Sequence, residues 1–216
     1  MSDSEQLHAW LNRMPDTESV ARFCGNEDIR RLDLKFDICA LKNALEDAMR
    51  TMGFCDLGSG FGVIPINRRP GVEGADPTDL SGRYYLRPDE SLTEVAREDI
   101  VDEAAFCEFE PKLRGTYFEE VYNTLQQRFK IGRVRVLSKQ VYNCNSWHRD
   151  PEPRLHIPII SNPGSLFIVN HHCTHLPADG SVYFTDTRGY HTALNGGESP
   201  RVHLVAALPI NTHDAM

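Results

Sequence analysis

The apolar positions of this chain change their period at Gly132. Before it, the spacing is helical in three places. Leu7, Trp10, Leu11 and Met14 recur at intervals of three and four until Pro15 interrupts them, which predicts a helix within an N-terminal segment, residues 1–30, that caps a sheet. Leu41, Leu45, Ala48 and Met52 share one helical face, with Gly53 placed to end the helix. Tyr117, Val121, Leu125 and Phe129 form a second such stripe, expected to face the core. A short alternating run, Leu32–Asp37, predicts a strand between them. Residues 56–90 are rich in Gly, Pro and Asp and read as loops, with short strands at most over 62–66 and 83–86. Within them GSGFGV is no phosphate cradle, because an apolar run, VIPI, follows where a helix would have to begin.

From Gly132 onward the period is two. Val134 and Val136 alternate with polar residues, and LHIPII, SLFIV, VYFTDT, YHTAL and RVHLVAAL follow, separated by Pro, Gly, Asn and Asp. Short β-branched and aromatic runs of this kind predict antiparallel strands in a sandwich or jelly roll, with the helices packed outside. The basic residues Arg128, Lys130, Arg133, Arg135 and Lys139 flank the apolar ones and read as a solvated strand face. Residues 31–216 would then form one domain.

Length and charge narrow the possibilities. A chain of 216 residues can bury a core without a disulfide or metal staple. Its net charge of −8 argues against a nucleic-acid partner, which needs clustered Lys and Arg facing phosphate. No run approaches the ~20 apolar residues of a membrane span, and the N-terminus has no leader-like apolar region. The six cysteines are scattered, with no CxxC pair, and read as reduced, mostly buried thiols of a cytoplasmic protein; Cys144 reads as a small buried hydrophobe.

Histidine carries the chemical signal, since seven of the nine lie between His148 and His203. In Trp147-His148-Arg149-Asp150, positions i and i+2 of an extended segment point the same way, so an imidazole and a carboxylate converge. One nitrogen and one oxygen donor suit a divalent first-row metal, and a second histidine would complete the open face used by non-haem Fe(II). His191 is a candidate. Asn195-Gly196-Gly197 predicts a hairpin that would make His191 and Arg201 cross-strand neighbours, roughly 4.5–5.5 Å apart at Cβ. A guanidinium beside a metal ligand suits a compound that chelates the metal at one end and carries a carboxylate at the other. His171, His172 and His175 read as a solvated loop or a lip of the substrate pocket rather than a zinc site. The Arg68-Arg69 pair could receive an acidic substrate group but reads as solvated loop.

The order Gly132-Arg133-Val134-Arg135, His148-x-Asp150, Arg154-Leu155-His156-Ile157-Pro158-Ile159, His191-Thr192-x-x-Asn195 and Arg201-Val202-His203-Leu204-Val205 resembles the aspartyl/asparaginyl β-hydroxylase branch of the Fe(II)/2-oxoglutarate-dependent oxygenases. The resemblance covers roughly residues 30–208 and is specific from Gly132 on. It implies an α+β, mainly β fold: a double-stranded β-helix, a cupin-like jelly roll with N-terminal and flanking helices. It also implies iron held by His148, Asp150 and His191, and 2-oxoglutarate paired with Arg201. Arg154 and His156 match a second pair near cosubstrate or substrate, and His203 would support Arg201. The implied activity is hydroxylation of an amino-acid side chain, free or in a polypeptide, with O2 consumed and succinate and CO2 released. The alternative is a non-catalytic cupin-like metal-binding or sensor protein. A zinc hydrolase is disfavoured, because no glutamate stands beside a histidine pair as in HExxH.

Overall fold

The computed structural model describes residues 1–12, 22–72, 79, 85–86, 93–96 and 101–209. In chain order the elements are helix α1 (Asp3–Leu11), β1 (Ile29–Lys35), α2 (Ile38–Thr51), β2 (Cys55–Asp56), β3 (Phe61–Pro65), β4 (Asn67–Arg68), β5 (Tyr85–Leu86), β6 (Val95–Ala96) and β7 (Glu108–Phe109). There follow α3 (Tyr117–Arg128), β8 (Val134–Lys139), β9 (Asn143–Cys144), β10 (His148–Arg149), β11 (Arg154–Ile160), β12 (Ser165–Val169), β13 (His172–His175), β14 (Ser181–Thr185), β15 (His191–Asn195) and β16 (Arg201–Ala207). A major sheet runs β1-β14-β11-β16-β8-β3-β2. A minor sheet runs β13-β12-β15-β10-β5-β6, with β9 also on β15, and β4 pairs with β7 separately.

The period of two divides the major sheet into unlike faces. Leu155, Ile157 and Ile159 of β11, Val202, Leu204 and Ala206 of β16, and Val134 and Val136 of β8 form one apolar cluster with Leu41, Leu45 and Ala48 of α2 and Phe118, Val121 and Leu125 of α3. The alternate positions, Arg135, Arg154, His156 and Arg201, line a cavity on the opposite face, toward the minor sheet. Ile29, Phe167, Val169, Leu176, Tyr183 and Ala193 form a second apolar cluster. Helix α2 begins and ends for local reasons. Asp37 caps α2 by accepting from the backbone N–H groups of Cys39 and Ala40, at 2.7 and 3.1 Å. Gly53 follows the helix at φ 71°, a conformation glycine adopts without strain.

Several expectations need correction. Helix α1 forms but buries none of its residues; Trp10 is 63% exposed and Leu11 72%, so it caps no sheet. Its apolar stripe within the helix is only Leu7, Trp10 and Leu11; Met14 and Pro15 fall outside the described residues. His172–His175 is a strand, β13, because Asn170 at φ 53° and His171 make a two-residue hairpin that pairs Val169 with His172. GSGFG is likewise a hairpin, between β2 and β3, with Gly58, Ser59 and Gly60 all at positive φ. All six cysteines are free as expected, but five of them, Cys144 included, are exposed and Cys55 is half-buried.

The expected His191–Arg201 hairpin does not form. Strand β15 pairs with β12, β10 and β9, whereas β16 pairs with β11 and β8, so the two residues belong to facing sheets. The Asn195-Gly196-Gly197 turn crosses between sheets because other partners hold it at the corner. Gly196 N–H donates to Gly164 O at 2.8 Å, and the Asn195 amide donates to Gln140 O and Ser199 O at 3.0 and 2.9 Å.

Ile157 is fully buried between sheet and helices. Truncation to alanine is expected to destabilise the fold by roughly 2–5 kcal/mol. Urea denaturation would register this as a lower midpoint with an unchanged slope.

Candidate metal centre

His148 of β10 stands directly opposite His191 of β15 in the antiparallel register, with ring centroids 4.2 Å apart. Asp150 follows His148 by two residues, and its N–H donates to Thr187 O at 2.8 Å. The donor atoms of His148, Asp150 and His191 all lie within 4.8 Å of one another, and each residue is about 95% buried. The Nδ1 of His148 lies 2.7 Å from Ser146 O, and that of His191 3.1 Å from Gly189 O. A carbonyl only accepts, so in each ring Nδ1 carries the hydrogen and Nε2 offers its lone pair. Burial pushes His191 below the ordinary imidazole range, an effect that the nearby Asp150 charge partly opposes; the ring is therefore neutral, as coordination requires. Asp150 Oδ2 accepts from Arg154 Nε at 3.2 Å, while its Oδ1 is buried with no hydrogen-bond partner. A buried, unsatisfied carboxylate oxygen costs at least roughly 1–3 kcal/mol. Two imidazole lone pairs and this carboxylate, one oxygen of which lacks a partner, are a donor set that suits a divalent first-row metal, so the residues fit such an ion.

The three donors open onto a cavity of about 350 Å³ between the sheets, which Arg135, Arg154, His156, Phe167 and Arg201 also line. The β2–β3 hairpin, at Leu57–Ser59, contributes to its wall, so part of the 56–90 segment shapes the pocket. Arg201, 4% exposed, pairs in register with Lys139 and donates from Nη2 to His203 Nδ1 at 2.9 Å. Burial lowers its pKa to about 9, which still leaves it cationic at neutral pH. His203 does not line the cavity; it stands beside Arg201 and holds the guanidinium. His156 packs on Phe167 with ring centroids 4.9 Å apart, and burial drives both His156 and His203 well below the imidazole range. The other six sequence-derived candidates thus share one cavity. The histidines of the 171–175 run do not join them. His172 Nε2 meets Cys24 O and His175 Nδ1 meets Ser165 O, and among the described residues only His148, Asp150 and His191 form a metal-type cluster.

The basic run is the largest departure from the sequence reading. Arg128 and Lys130 are exposed as expected, but Arg133, Arg135 and Lys139 are 1%, 5% and 1% exposed, so the strand part of the run is no solvated face. Alternation of basic and apolar residues looks the same whether the basic side meets water or a cavity; only the pairing of β8 with β16 distinguishes the two. Glu103 carries no signal in the sequence. It accepts from Arg133 Nε at 3.2 Å, from Arg133 Nη2, and from Arg154 Nη1 at 3.3 Å. Burial alone would raise its pKa, but the guanidiniums of Arg154, Arg133 and Arg135 outweigh that and hold it at about 2. Glu152, beside Arg154 at 2.7 Å, is raised to about 7 by burial, which Arg154 offsets only in part.

The chain matches no family model and no curated protein. Solved structures share its fold. An oxidoreductase of the 2OG-Fe(II) oxygenase family from Burkholderia pseudomallei superposes with a TM-score of 0.51 at 14% identity, covering 88% of this chain and 94% of that one. A viral collagen prolyl hydroxylase from Paramecium bursaria Chlorella virus 1, solved as its 2OG complex, gives a TM-score of 0.47 at 11% identity over 88% and 99%. The chain therefore has the double-stranded β-helix fold of the 2OG-Fe(II) oxygenases. No helix of the described residues is long and apolar enough to cross a membrane.

The Glu103→Gln substitution is expected to destabilise the fold by roughly 3–5 kcal/mol, because buried Arg133 loses its carboxylate partner and Arg154 loses one of three. The native carboxyl titrates at about 2 against 4.5 for the ordinary group, so its contribution is full above about pH 4.5 and lost as pH falls toward 2. Melting curves across that range should show the acid-side loss in the native protein and a shallower one in the variant.

Proposed function

We propose that this protein is an Fe(II)/2-oxoglutarate-dependent dioxygenase, of the aspartyl/asparaginyl β-hydroxylase-like branch, that hydroxylates an amino-acid side chain, free or within a polypeptide. One observation carries the reading. Two Nε2 lone pairs and the Asp150 carboxylate converge at a cavity whose wall also holds a buried, charged arginine. The shared fold supports it.

His148, Asp150 and His191 would hold the metal and leave the rest of its coordination sphere open. Bound there with 2-oxoglutarate, iron supplies the O2-dependent oxidation of an unactivated C–H bond, which no side chain here can perform alone. The chain's own residues bind and orient. Arg201 pairs with the distal carboxylate of the cosubstrate, and His203 fixes the guanidinium by accepting one of its hydrogens. His156, buried and neutral, borders the same space, and Phe167 and Val205 keep that part of the wall apolar. Ser146 O and Gly189 O hold the two imidazoles in the tautomer that presents Nε2.

The test is succinate release from 2-oxoglutarate in the presence of Fe(II) and O2. Asp150→Ala should fall to the rate of metal-free protein, and equal release by both proteins overturns the assignment. Metal binding without 2-oxoglutarate affinity returns the binding-protein reading. Arg201→Met should raise KM for 2-oxoglutarate by roughly 30-fold or more, since truncating one side of a buried charge pair costs about 2–5 kcal/mol.

A further inference from the structure

We infer that Arg154 is a positioning residue for the carboxylate ligand Asp150, and not a contact to the cosubstrate as the sequence resemblance implies. The inference rests on the metal centre proposed above. All three nitrogens of the guanidinium face carboxylates: Nε lies 3.2 Å from Asp150 Oδ2, Nη1 3.3 Å from Glu103 Oε1, and Nη2 2.7 Å from Glu152 Oε1. Arg154, Asp150, Glu103 and Glu152 are each more than 90% buried, so these contacts are made away from water. Nε and Nη1 donate to Asp150 and Glu103 while Nη2 forms a close ion pair with Glu152, so the charge of this guanidinium is already directed at three carboxylates of the chain itself. Its direction is fixed from behind, because Glu103 is itself held by Arg133 through Nε, Nη2 and the backbone N–H.

The consequence falls on Asp150. The hydrogen bond from Arg154 Nε to Oδ2 limits rotation of the carboxylate, whose Oδ2 also lies 3.7 Å from His191 Nε2. The fork thereby sets the plane in which the carboxylate is presented toward His148 and His191. Outer contacts that orient a metal ligand contribute to affinity even though they never touch the ion. Lysine would keep the charge but not the fork, since one ammonium cannot span the Asp150, Glu103 and Glu152 oxygens in a fixed plane.

Calorimetric titration of the apo protein with Mn(II), without 2-oxoglutarate or O2, tests this. Arg154→Lys should bind Mn(II) roughly 10- to 100-fold more weakly than wild type. Its affinity for 2-oxoglutarate, measured at saturating Mn(II), should be unchanged. Unaltered Mn(II) affinity together with weakened 2-oxoglutarate binding overturns the inference and makes Arg154 a cosubstrate contact. Wild type that binds no Mn(II) overturns the metal centre itself, a separate failure. Should Arg154→Lys lose its cooperative melt, Arg154→Gln gives the same comparison through the rise in melting temperature that Mn(II) produces; a rise equal to that of wild type overturns the inference.

Discussion

Glu103 sets a negative charge between the guanidiniums of Arg133 and Arg154, and the charged wall of the cavity depends on that contact. Arg133, Arg135, Arg154 and Lys139 are all at least 95% buried, and cations removed from water at such spacing repel one another. Glu103 comes from a single 3-10 turn, Glu103–Ala105, whose own start is fixed by Asp102 accepting from Ala104 N–H. One short turn thus joins the beginnings of β8 and β11, two strands of the major sheet that are separated by β16. The neighbouring contacts are consistent with this: Arg133 also donates to Asp79 O at 2.7 Å and stacks over Phe106 at 5.0 Å.

The same strand period that made the fold legible hid this wall. The runs LHIPII, SLFIV, VYFTDT, YHTAL and RVHLVAAL correspond to β11, β12, β14, β15 and β16, because β-branched alternation under burial on one face leaves little else to form. The helices over 38–51 and 117–128 were legible for the parallel reason, a stripe at helical spacing. The period says which residues share a face; it does not say whether that face meets water or another sheet. Arg133, Arg135 and Lys139 were misread on that point, and β16, with Arg201 and His203 on its inner face, held the missing information.

Sheet membership was the other illegible quantity. The turn chemistry of Asn195-Gly196-Gly197 identifies a reversal, yet a hydrogen bond donated by Asn162 and those accepted by the Gly164 and Gln140 carbonyls, remote in sequence, decide that the chain leaves one sheet for the other. His191 and Arg201 still share one cavity, but across it and not along a hairpin. The His148-x-Asp150 unit was readable because its geometry is local, and Glu103 was not, because no local pattern marks a carboxylate whose partners lie 30 and 51 residues away.

The donor cluster of His148, Asp150 and His191 is assembled by the backbone. Between Asp150 and Arg154 the chain passes from the minor sheet to the major one through Pro151-Glu152-Pro153, and two prolines limit the backbone freedom of that crossing. Thr187 then ties the crossing to the segment that leads into β15. Its carbonyl accepts from Asp150 N–H at 2.8 Å and its hydroxyl donates to Glu152 O at 2.7 Å, four residues before His191. Leu208 N–H closes the other side on Pro153 O at 3.0 Å. Asp150, Arg154 and His191 are therefore held by one set of backbone contacts. An ion entering such a site meets donors whose positions are already set, which is the condition for a metal face that stays open toward the cavity.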